Sequence, residues 1–198
     1  MSKFKKGTLL MAVGLALVLA ALALTGYNIY DGKRAEKKSA EILTLLEDAE
    51  VNGISDNKEL FEKYPNMSMP TKEVDGLSII GVIEIPSLDI ALPVCKDWSY
   101  ENLESAPCRY SGSIYSHDCV IAAHNYSRHF AGLKNLEKGS SVVFTDVAGN
   151  VFNYVTDSIG ALDSYAVEEM KSTGYDLTLF TCNQSGSARV TVGCRLVQ

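Results

Sequence analysis

The feature that most constrains this chain is a stretch from Gly7 to Tyr30 that contains no charged side chain. Its first part, Thr8 to Leu24, is almost wholly apolar. About 20 apolar residues cross the hydrocarbon core of a bilayer as an α-helix, and tyrosines at the end of such a segment suit the membrane interface. We therefore predict a short N-terminal tail at residues 1–6 and a transmembrane anchor at residues 7–30.

Two alternatives to this interpretation stay open. The sequence Ala21-Leu22-Ala23 is similar to the small-residue cleavage site of a signal peptide, so the segment could be removed in the mature protein. The orientation is also not fixed by charge, because basic residues lie on both sides of the segment. They are Lys3, Lys5 and Lys6 before it and Lys33, Arg34, Lys37 and Lys38 after it.

Length and charge limit what the rest of the chain can be. With the anchor subtracted, the chain of 198 residues is long enough for one domain with a sizeable core. The net charge is -6, and the lysines and arginines form no extended basic stripe beyond the N-terminal region. Nucleic acid is therefore excluded as a partner.

Two segments of different composition follow the anchor. Residues 34–50 have apolar side chains at helical spacing among charges, which predicts a short helix that could serve as a stalk. Residues 51–71 are polar and interrupted by Asn52-Gly53, Pro65 and Pro70, which is typical of a linker. We assign residues 31–72 to a helical stalk and linker, and residues 73–198 to the folded domain.

The domain shows short strand-like segments separated by turn residues, with little helix. The predicted strands are Leu77 to Ile85, Ile90 to Val94, Asp118 to Ala123, Ser141 to Thr145, Val151 to Val155, Asp176 to Cys182 and Arg189 to Val197. Short helices are predicted at Tyr100 to Glu104 and Tyr165 to Lys171. This pattern predicts a mostly β domain, and closing the sheet into a barrel would remove its exposed edges.

The last two strands bring a thiol and a guanidinium together. Cys182 is the last residue of its strand, a compact polar loop follows, and Arg189 opens the next strand. An antiparallel hairpin would therefore set Cys182 and Arg189 nearly opposite each other. Alternation places Cys182 on the strand face opposite to Leu179 and Thr181.

A cysteine that attacks a carbonyl needs its thiolate and a nearby acid for the departing amine. Histidine titrates in the right range, and His124 lies at a strand end beside a polar turn, as Cys182 does. We expect His117 and His129 to be solvated surface residues. The other cysteines, Cys95, Cys108, Cys119 and Cys194, are expected to be buried as small apolar residues.

These residues resemble a known family, the sortases. The run Thr178-Leu179-Phe180-Thr181-Cys182 is similar to the sortase signature T-L-x-T-C, which is followed after a loop by an arginine, here Arg189. Ile121-Ala122-Ala123-His124-Asn125 resembles the family's histidine segment, usually A-G-H. Three further segments resemble the opening strands of the family. They are Gly81-Val82-Ile83-Glu84-Ile85-Pro86, Leu88-Asp89-Ile90 and Leu92-Pro93-Val94.

The chain departs from the family pattern in three places. Ala123 stands where a glycine is usual before the histidine, which changes backbone freedom but removes no catalytic group. The loop between Cys182 and Arg189 is short, and no large insertion lies between Val155 and Asp176. The resemblance therefore names the family but not the class within it.

The resemblance implies a closed eight-stranded β-barrel with short helices, preceded by the transmembrane helix. It implies a cysteine transpeptidase in which Cys182 attacks the Thr-Gly bond of an LPxTG-like sorting signal and forms a thioacyl enzyme. His124 would protonate the leaving amine and assist the incoming one. Arg189 would hold the substrate backbone and stabilise the oxyanion.

The same resemblance implies partners and a location. The substrates would be secreted proteins with a C-terminal LPxTG-like signal, and the acceptor would be an amine of a cell-wall precursor or a pilin. The protein would cross the cell membrane once, with residues 1–6 in the cytoplasm and the catalytic domain outside. No cofactor is expected. A calcium site at Asp157, Asp163, Glu168 or Glu169 is conceivable, but a solvated acidic face is the simpler interpretation.

Three rival interpretations were weighed. Gly193-Cys194-Arg195 suggests an L,D-transpeptidase, but that family's serine-histidine pair is absent and Cys194 shares its strand face with core residues. Papain-like peptidases place the cysteine before the histidine in sequence. A non-catalytic, membrane-tethered β-domain that binds wall polymer or a partner protein would explain the anchor and strands without any chemistry.

Overall fold

The structure is a computed structural model that describes residues 3–48 and 58–197. Its contacts divide the chain into two compact units, Met1–Arg34 and Ala35–Gln198. The described residues of the first unit belong to helix α1, which runs from Lys3 to Asp48. Its apolar side chains are uncovered: Leu10 and Met11 are 72% and 77% exposed.

Helix α1 is long and apolar enough to span a membrane, starting at Gly7. A helix that is apolar on every side and uncovered suits a lipid environment better than water. The predicted anchor at residues 7–30 lies in this part of α1. The helix therefore supports membrane anchoring.

Eight strands of the second unit close into a barrel, as the sequence predicts. In the described residues the strands are β1 Lys72–Val74, β2 Leu77–Ile85, β3 Ile90–Cys95, β4 Cys108–Ser111, β5 Cys119–Ala122, β6 Ser141–Asp146, β7 Val151–Asp163, β8 Leu177–Cys182 and β9 Ala188–Leu196. The order around the barrel is β2-β3-β4-β5-β8-β9-β7-β6, and antiparallel pairing of β6 with β2 closes it. Strand β1 extends the sheet by pairing with β2.

Short helices precede and connect the strands. They are α2 Lys58–Lys63, α3 Tyr100–Leu103, α4 Val167–Lys171 and the 3-10 helices Pro86–Leu88 and Phe130–Asn135. Helix α3 begins after Ser99, whose hydroxyl accepts a hydrogen bond from the Asn102 amide at 2.9 Å and so caps the helix.

Side-chain alternation along the strands separates two apolar clusters. The inner cluster fills the barrel and contains Ile121 of β5 and Leu179 of β8. The outer cluster lies on the other face of the same strands and contains Ala122 and Phe180, covered by Met170 of α4. Each of these two strands is therefore buried on both faces, which explains its almost continuous apolar sequence.

The C-terminal part of α1 packs within the second unit. Ala35, Ser39 and Ile42 recur at helical spacing and are buried. Ser39 donates a hydrogen bond to the Ser105 carbonyl at 2.7 Å, and Glu36 pairs with Arg128 at 3.3 Å. This part of the helix thus covers the barrel. The domain boundaries proposed at residues 31 and 73 stay predictions.

The polar segment at residues 51–71 is only partly described, since its first residues lie outside the described ranges. Phe61 and Met69 are buried in the inner cluster. The Phe61 ring stacks on Tyr115 with ring centroids 4.3 Å apart. The described end of this segment therefore contributes to the core.

Most predicted strands are confirmed, but β7 is longer than predicted, and β1, β4, α2 and the two 3-10 helices were not predicted. Strand β7 continues to Asp163, well beyond the predicted end at Val155, and pairs with β9 along that extension. Strand β4 was missed because it is short and pairs in parallel with β3 through a single residue pair, Cys95 and Cys108.

Candidate active site

Cys182 ends strand β8, and its register partner on β9 is Arg189. The sequence-based prediction that the hairpin sets these two residues opposite each other is confirmed. Their connecting loop is held by its own hydrogen bonds: Asn183 receives one from the Ala188 amide at 3.3 Å and donates one to Ser187 at 3.2 Å. Cys182 is half-buried, so its side chain at the end of the strand is accessible to solvent.

His124 reaches the same end of the barrel because β5 and β8 are parallel neighbours. Ala122 is the register partner of Phe180, and the Ala123 amide donates to the Phe180 carbonyl at 3.1 Å. His124 follows Ala122 by two residues, as Cys182 follows Phe180. Parallel strands end at the same edge of a sheet, and so the imidazole and the thiol are brought to one edge.

Thr181 joins β5 and β8 at this edge of the sheet, from the side that faces the barrel interior. Its hydroxyl is buried and donates to the Ala123 carbonyl at 2.8 Å, across the two parallel strands. This bond fixes the residues before His124 and Cys182 relative to each other. Sequence reasoning placed Thr181 on the strand face opposite to Cys182 but assigned it no role. A threonine directly before the half-buried cysteine is the signal that could have identified it.

The three predicted residues His124, Cys182 and Arg189 line one concavity, which we call the outer groove. Its volume is about 290 Å³. One wall comes from α3 and its neighbours, through Trp98, Tyr100, Leu103 and Tyr110, and the other from α4, through Val167 and Met170. The groove therefore lies on the outer face of the barrel and is largely apolar.

An aromatic series forms the floor and wall of the outer groove. Tyr110 meets Phe180 edge to face at 5.3 Å, and Trp98 meets Tyr110 at 5.9 Å with the rings nearly perpendicular. Edge-to-face contacts of this kind hold aromatic rings in fixed orientations. These wall residues were missed by sequence reasoning, because nothing in the local pattern of residues 98–110 shows that they face Cys182.

The Arg189 guanidinium is oriented by the loop beside it. Its Nη1 donates to the Gly186 carbonyl at 3.1 Å. The other formal charges at the outer groove are the carboxylate of Asp163 and the titratable His124. A cation held in place by backbone carbonyls is a preorganised donor for an oxyanion. The remaining guanidinium nitrogens are the donors that a substrate would meet.

The other four cysteines are buried, as predicted, and none of the five is in a disulfide. Burial raises the pKa of Cys119 and of Cys194 to about 12. The pKa of Cys108 is raised by its hydrogen bond with Cys95 and by burial. Cys182 is thus the cysteine with solvent access, and the expectation that Cys194 belongs to the core is confirmed.

The two remaining histidines differ from each other. His117 is exposed, as predicted. The prediction for His129 is wrong: it is 1% exposed, and its Nε2 lies 3.2 Å from the Ser39 hydroxyl. Burial, with a smaller contribution from the charge of His124, lowers the pKa of His129 to about 4. The reason for the error is that α1 covers this position from a distant part of the sequence.

The acidic residues considered for calcium have other partners or lie apart. Asp157 pairs with Lys138 at 2.7 Å, which lowers its pKa. Glu168 pairs with Lys171 at 3.4 Å. Over residues 3–48 and 58–197, no three acidic, histidine or cysteine side chains group as metal ligands would.

A closed eight-stranded barrel with a cysteine and an arginine paired beside a histidine defines a sortase-type protein. A sequence model of the sortase domain matches residues 83–197, more than half of the chain. The chain therefore belongs to the sortase family. This membership supports a transpeptidase that anchors surface proteins.

Individual proteins are similar to this chain in sequence or in fold. Sortase A of Bacillus anthracis is 26% identical over 181 residues, which cover 86% of this chain and 85% of that protein. The sortase D5 transpeptidase of Clostridium perfringens has a similar structure, with a TM-score of 0.59, 16% identity, and coverage of 84% of this chain and 99% of that chain. Sortase A of Listeria monocytogenes matches with a TM-score of 0.52, 21% identity, and coverage of 61% and 88%.

Proposed function

We propose that the chain cleaves an LPxTG-like sorting signal through a thioacyl enzyme and joins the released carboxyl group to an amine. The observation that carries this proposal is the convergence of His124, Cys182 and Arg189 on one groove. A groove with an apolar wall and a few polar groups at one end is suited to an apolar peptide with one reactive bond.

In the proposed first step, the Cys182 thiolate attacks the carbonyl carbon of the scissile peptide bond. His124 acts as the imidazolium and gives its proton to the departing amine. Arg189 donates hydrogen bonds to the oxyanion of the tetrahedral intermediate and to the substrate backbone. The support is geometric: Arg189 is the register partner of Cys182, and the loop carbonyls already orient its guanidinium.

In the second step, an amine attacks the thioester and the sulfur leaves. The acceptor would be an amine of a cell-wall precursor or a pilin. The membrane helix supports a single-pass protein that works at the membrane surface, and we propose that the barrel lies outside the cytoplasm. There it would meet secreted proteins as they leave the membrane.

The test uses the full-length chain in detergent micelles. It is incubated with a library of LPxTG-like peptides and hydroxylamine, and the products are identified by mass. We expect a peptide hydroxamate that ends at the residue before the cleaved bond. The proposal fails if no library member yields a hydroxamate, or if Cys182→Ala protein yields as much. A non-catalytic binding domain would give the first of these results.

A further inference from the structure

Cys182 borders two concavities, and the proposed first step uses only the outer groove. The second, which we call the mouth pocket, has a volume of about 390 Å³ and lies at the end of β8, beside the loop that follows Cys182. Its lining includes Cys182 with Thr181, Asn183, Val190, Ala131 and Lys134. A space of this size accommodates a small ligand or the end of a peptide.

The two concavities lie on opposite faces of the β8–β9 hairpin. Phe180 and Cys182 face the outer groove. Thr181 and its register partner Val190 face the mouth pocket. Because side chains alternate along a strand, only a residue at the strand end can border both sides. Cys182 occupies that position.

When two substrates react in turn at one sulfur atom, each needs its own route to that atom. While the thioester exists, the acyl peptide occupies the outer groove, whose volume of about 290 Å³ leaves little room for a second molecule. The attacking amine must still reach the thioester carbon. The mouth pocket offers that route, because Cys182 is part of its lining.

The charges of the two concavities differ. The outer groove has the carboxylate of Asp163 and the guanidinium of Arg189. Among the residues that line the mouth pocket, Lys134 alone carries a formal charge at neutral pH. Lys134 is exposed at the end of the 3-10 helix Phe130–Asn135. A lone cation there attracts a carboxylate.

We propose that the mouth pocket binds the acceptor and selects a primary amine whose carrier also bears a carboxylate, which pairs with Lys134. This inference rests on the proposed function. The amine nitrogen forms a bond to the thioester carbon and the carbon–sulfur bond breaks. The sulfur leaves as the thiolate, and the surplus proton of the amine passes to His124. The products are an amide and the free Cys182 enzyme.

The experiment compares three nucleophiles on one peptide from the library. Full-length protein in detergent micelles is supplied with the peptide and with glycylglycine, glycylglycine amide or hydroxylamine. Glycylglycine carries a carboxylate, its amide does not, and hydroxylamine is too small to need the pocket. Product masses give the rate with each peptide acceptor relative to hydroxylamine in the same variant.

In the wild type we expect glycylglycine to react faster than its amide. Lys134→Gln should lower that preference about threefold, the effect of one exposed ion pair, whereas Lys138→Gln, whose lysine pairs with Asp157, should preserve it. Ala131→Leu, which narrows the pocket from a short helix, should slow both peptide acceptors at least about tenfold relative to hydroxylamine.

The outcomes separate the two proposals. Hydroxamate formation with an unchanged acceptor preference in Lys134→Gln and no slowing in Ala131→Leu would overturn the acceptor site while leaving the proposed function intact. Absence of hydroxamate in the wild type would overturn both.

Discussion

The two ends of the β8–β9 hairpin carry the same pair of residue types in different surroundings. At one end, Cys182 lies half-buried beside Arg189, and both line the outer groove. At the other end, Cys194 is fully buried, and Arg195 donates to the Gly174 carbonyl at 2.6 Å while its guanidinium lies over the Tyr175 ring. Residue type is therefore a weaker guide to function than position at an open strand end.

His124 and His129 also share a residue type but differ in their surroundings. His124 lines the outer groove, whereas His129 is buried under α1 with its Nε2 at the Ser39 hydroxyl. Tyr126 lies between them, with its ring centroid 4.9 Å from that of His124 and 5.5 Å from that of His129. We propose proton transfer for His124, whereas His129 is a packed residue of the interior.

The largest expected difference is in the peptide-cleavage activity of the two cysteine variants. Cys182→Ala should reduce peptide cleavage to the uncatalysed rate, because it removes the nucleophile. Cys194→Ala should keep the activity of folded protein. Mass analysis of hydroxamate formation by both variants measures this. Equal loss in the two variants, with both folded, would remove the distinction between the hairpin ends.

Substitution of the arginines should change turnover by less than loss of Cys182 does. Arg189→Lys keeps a positive charge but loses the planar set of donors, so turnover should fall by about two orders of magnitude. Arg195→Lys should retain turnover, since its contacts are to the Gly174 carbonyl and Tyr175. Steady-state kinetics of peptide cleavage tests the pair. The reverse ranking would refute the role proposed for Arg189.

The two histidines should separate in the pH dependence of stability. An unfolded histidine has a pKa near 6.5, and His129 in the folded protein has one of about 4. Between these values the unfolded chain binds more protons, so the free energy of unfolding should fall as the pH is lowered from about 6.5 to about 4. The full loss is on the order of 3 kcal/mol.

Denaturant unfolding in detergent can be followed by the fluorescence of Trp98, the single tryptophan. His129→Gln should flatten this part of the pH profile, because the amide can still form a hydrogen bond with Ser39 but does not titrate. His124→Gln should leave most of it. If the free energy of unfolding of His129→Gln fell with pH as steeply as that of the wild type, groups other than His129 would cause the loss of stability.

The smallest expected effect is the cost of removing the buried sulfur of Cys194. Cys194→Ala should lower the free energy of unfolding by about 1 kcal/mol, because it leaves a small cavity in the inner cluster. Cys182→Ala should change stability less, since its side chain is only half-buried. The same denaturation assay measures both, and a larger cost for Cys182→Ala would contradict the burial contrast.

The parts of this molecule that the sequence predicted are those set by local pattern. Alternation in Leu177–Cys182 correctly assigned the two faces of β8, and the short polar loop correctly paired Cys182 with Arg189. The approach of His124 needed the family resemblance, because it depends on parallel pairing of β5 with β8.

The missed features depend on contacts between distant segments. His129 is buried by Ser39, which lies 90 residues away in sequence. The extension of β7 to Asp163 was hidden because Gly160 and the surrounding polar residues weaken the strand signal, and its pairing with β9 supplies what the local sequence lacks. The walls of the outer groove likewise come from α3 and α4, far apart in the chain.

The hydrogen bond from Thr181 to Ala123 joins residues 58 positions apart in sequence, and this has a consequence for folding. Non-local pairing of this kind costs loop-closure entropy before its contacts form, so we expect it to form slowly. Until β5 and β8 pair, the nascent chain holds its Cys182 thiol without the neighbouring imidazole. Reactivity that requires both groups therefore depends on the pairing of β5 with β8.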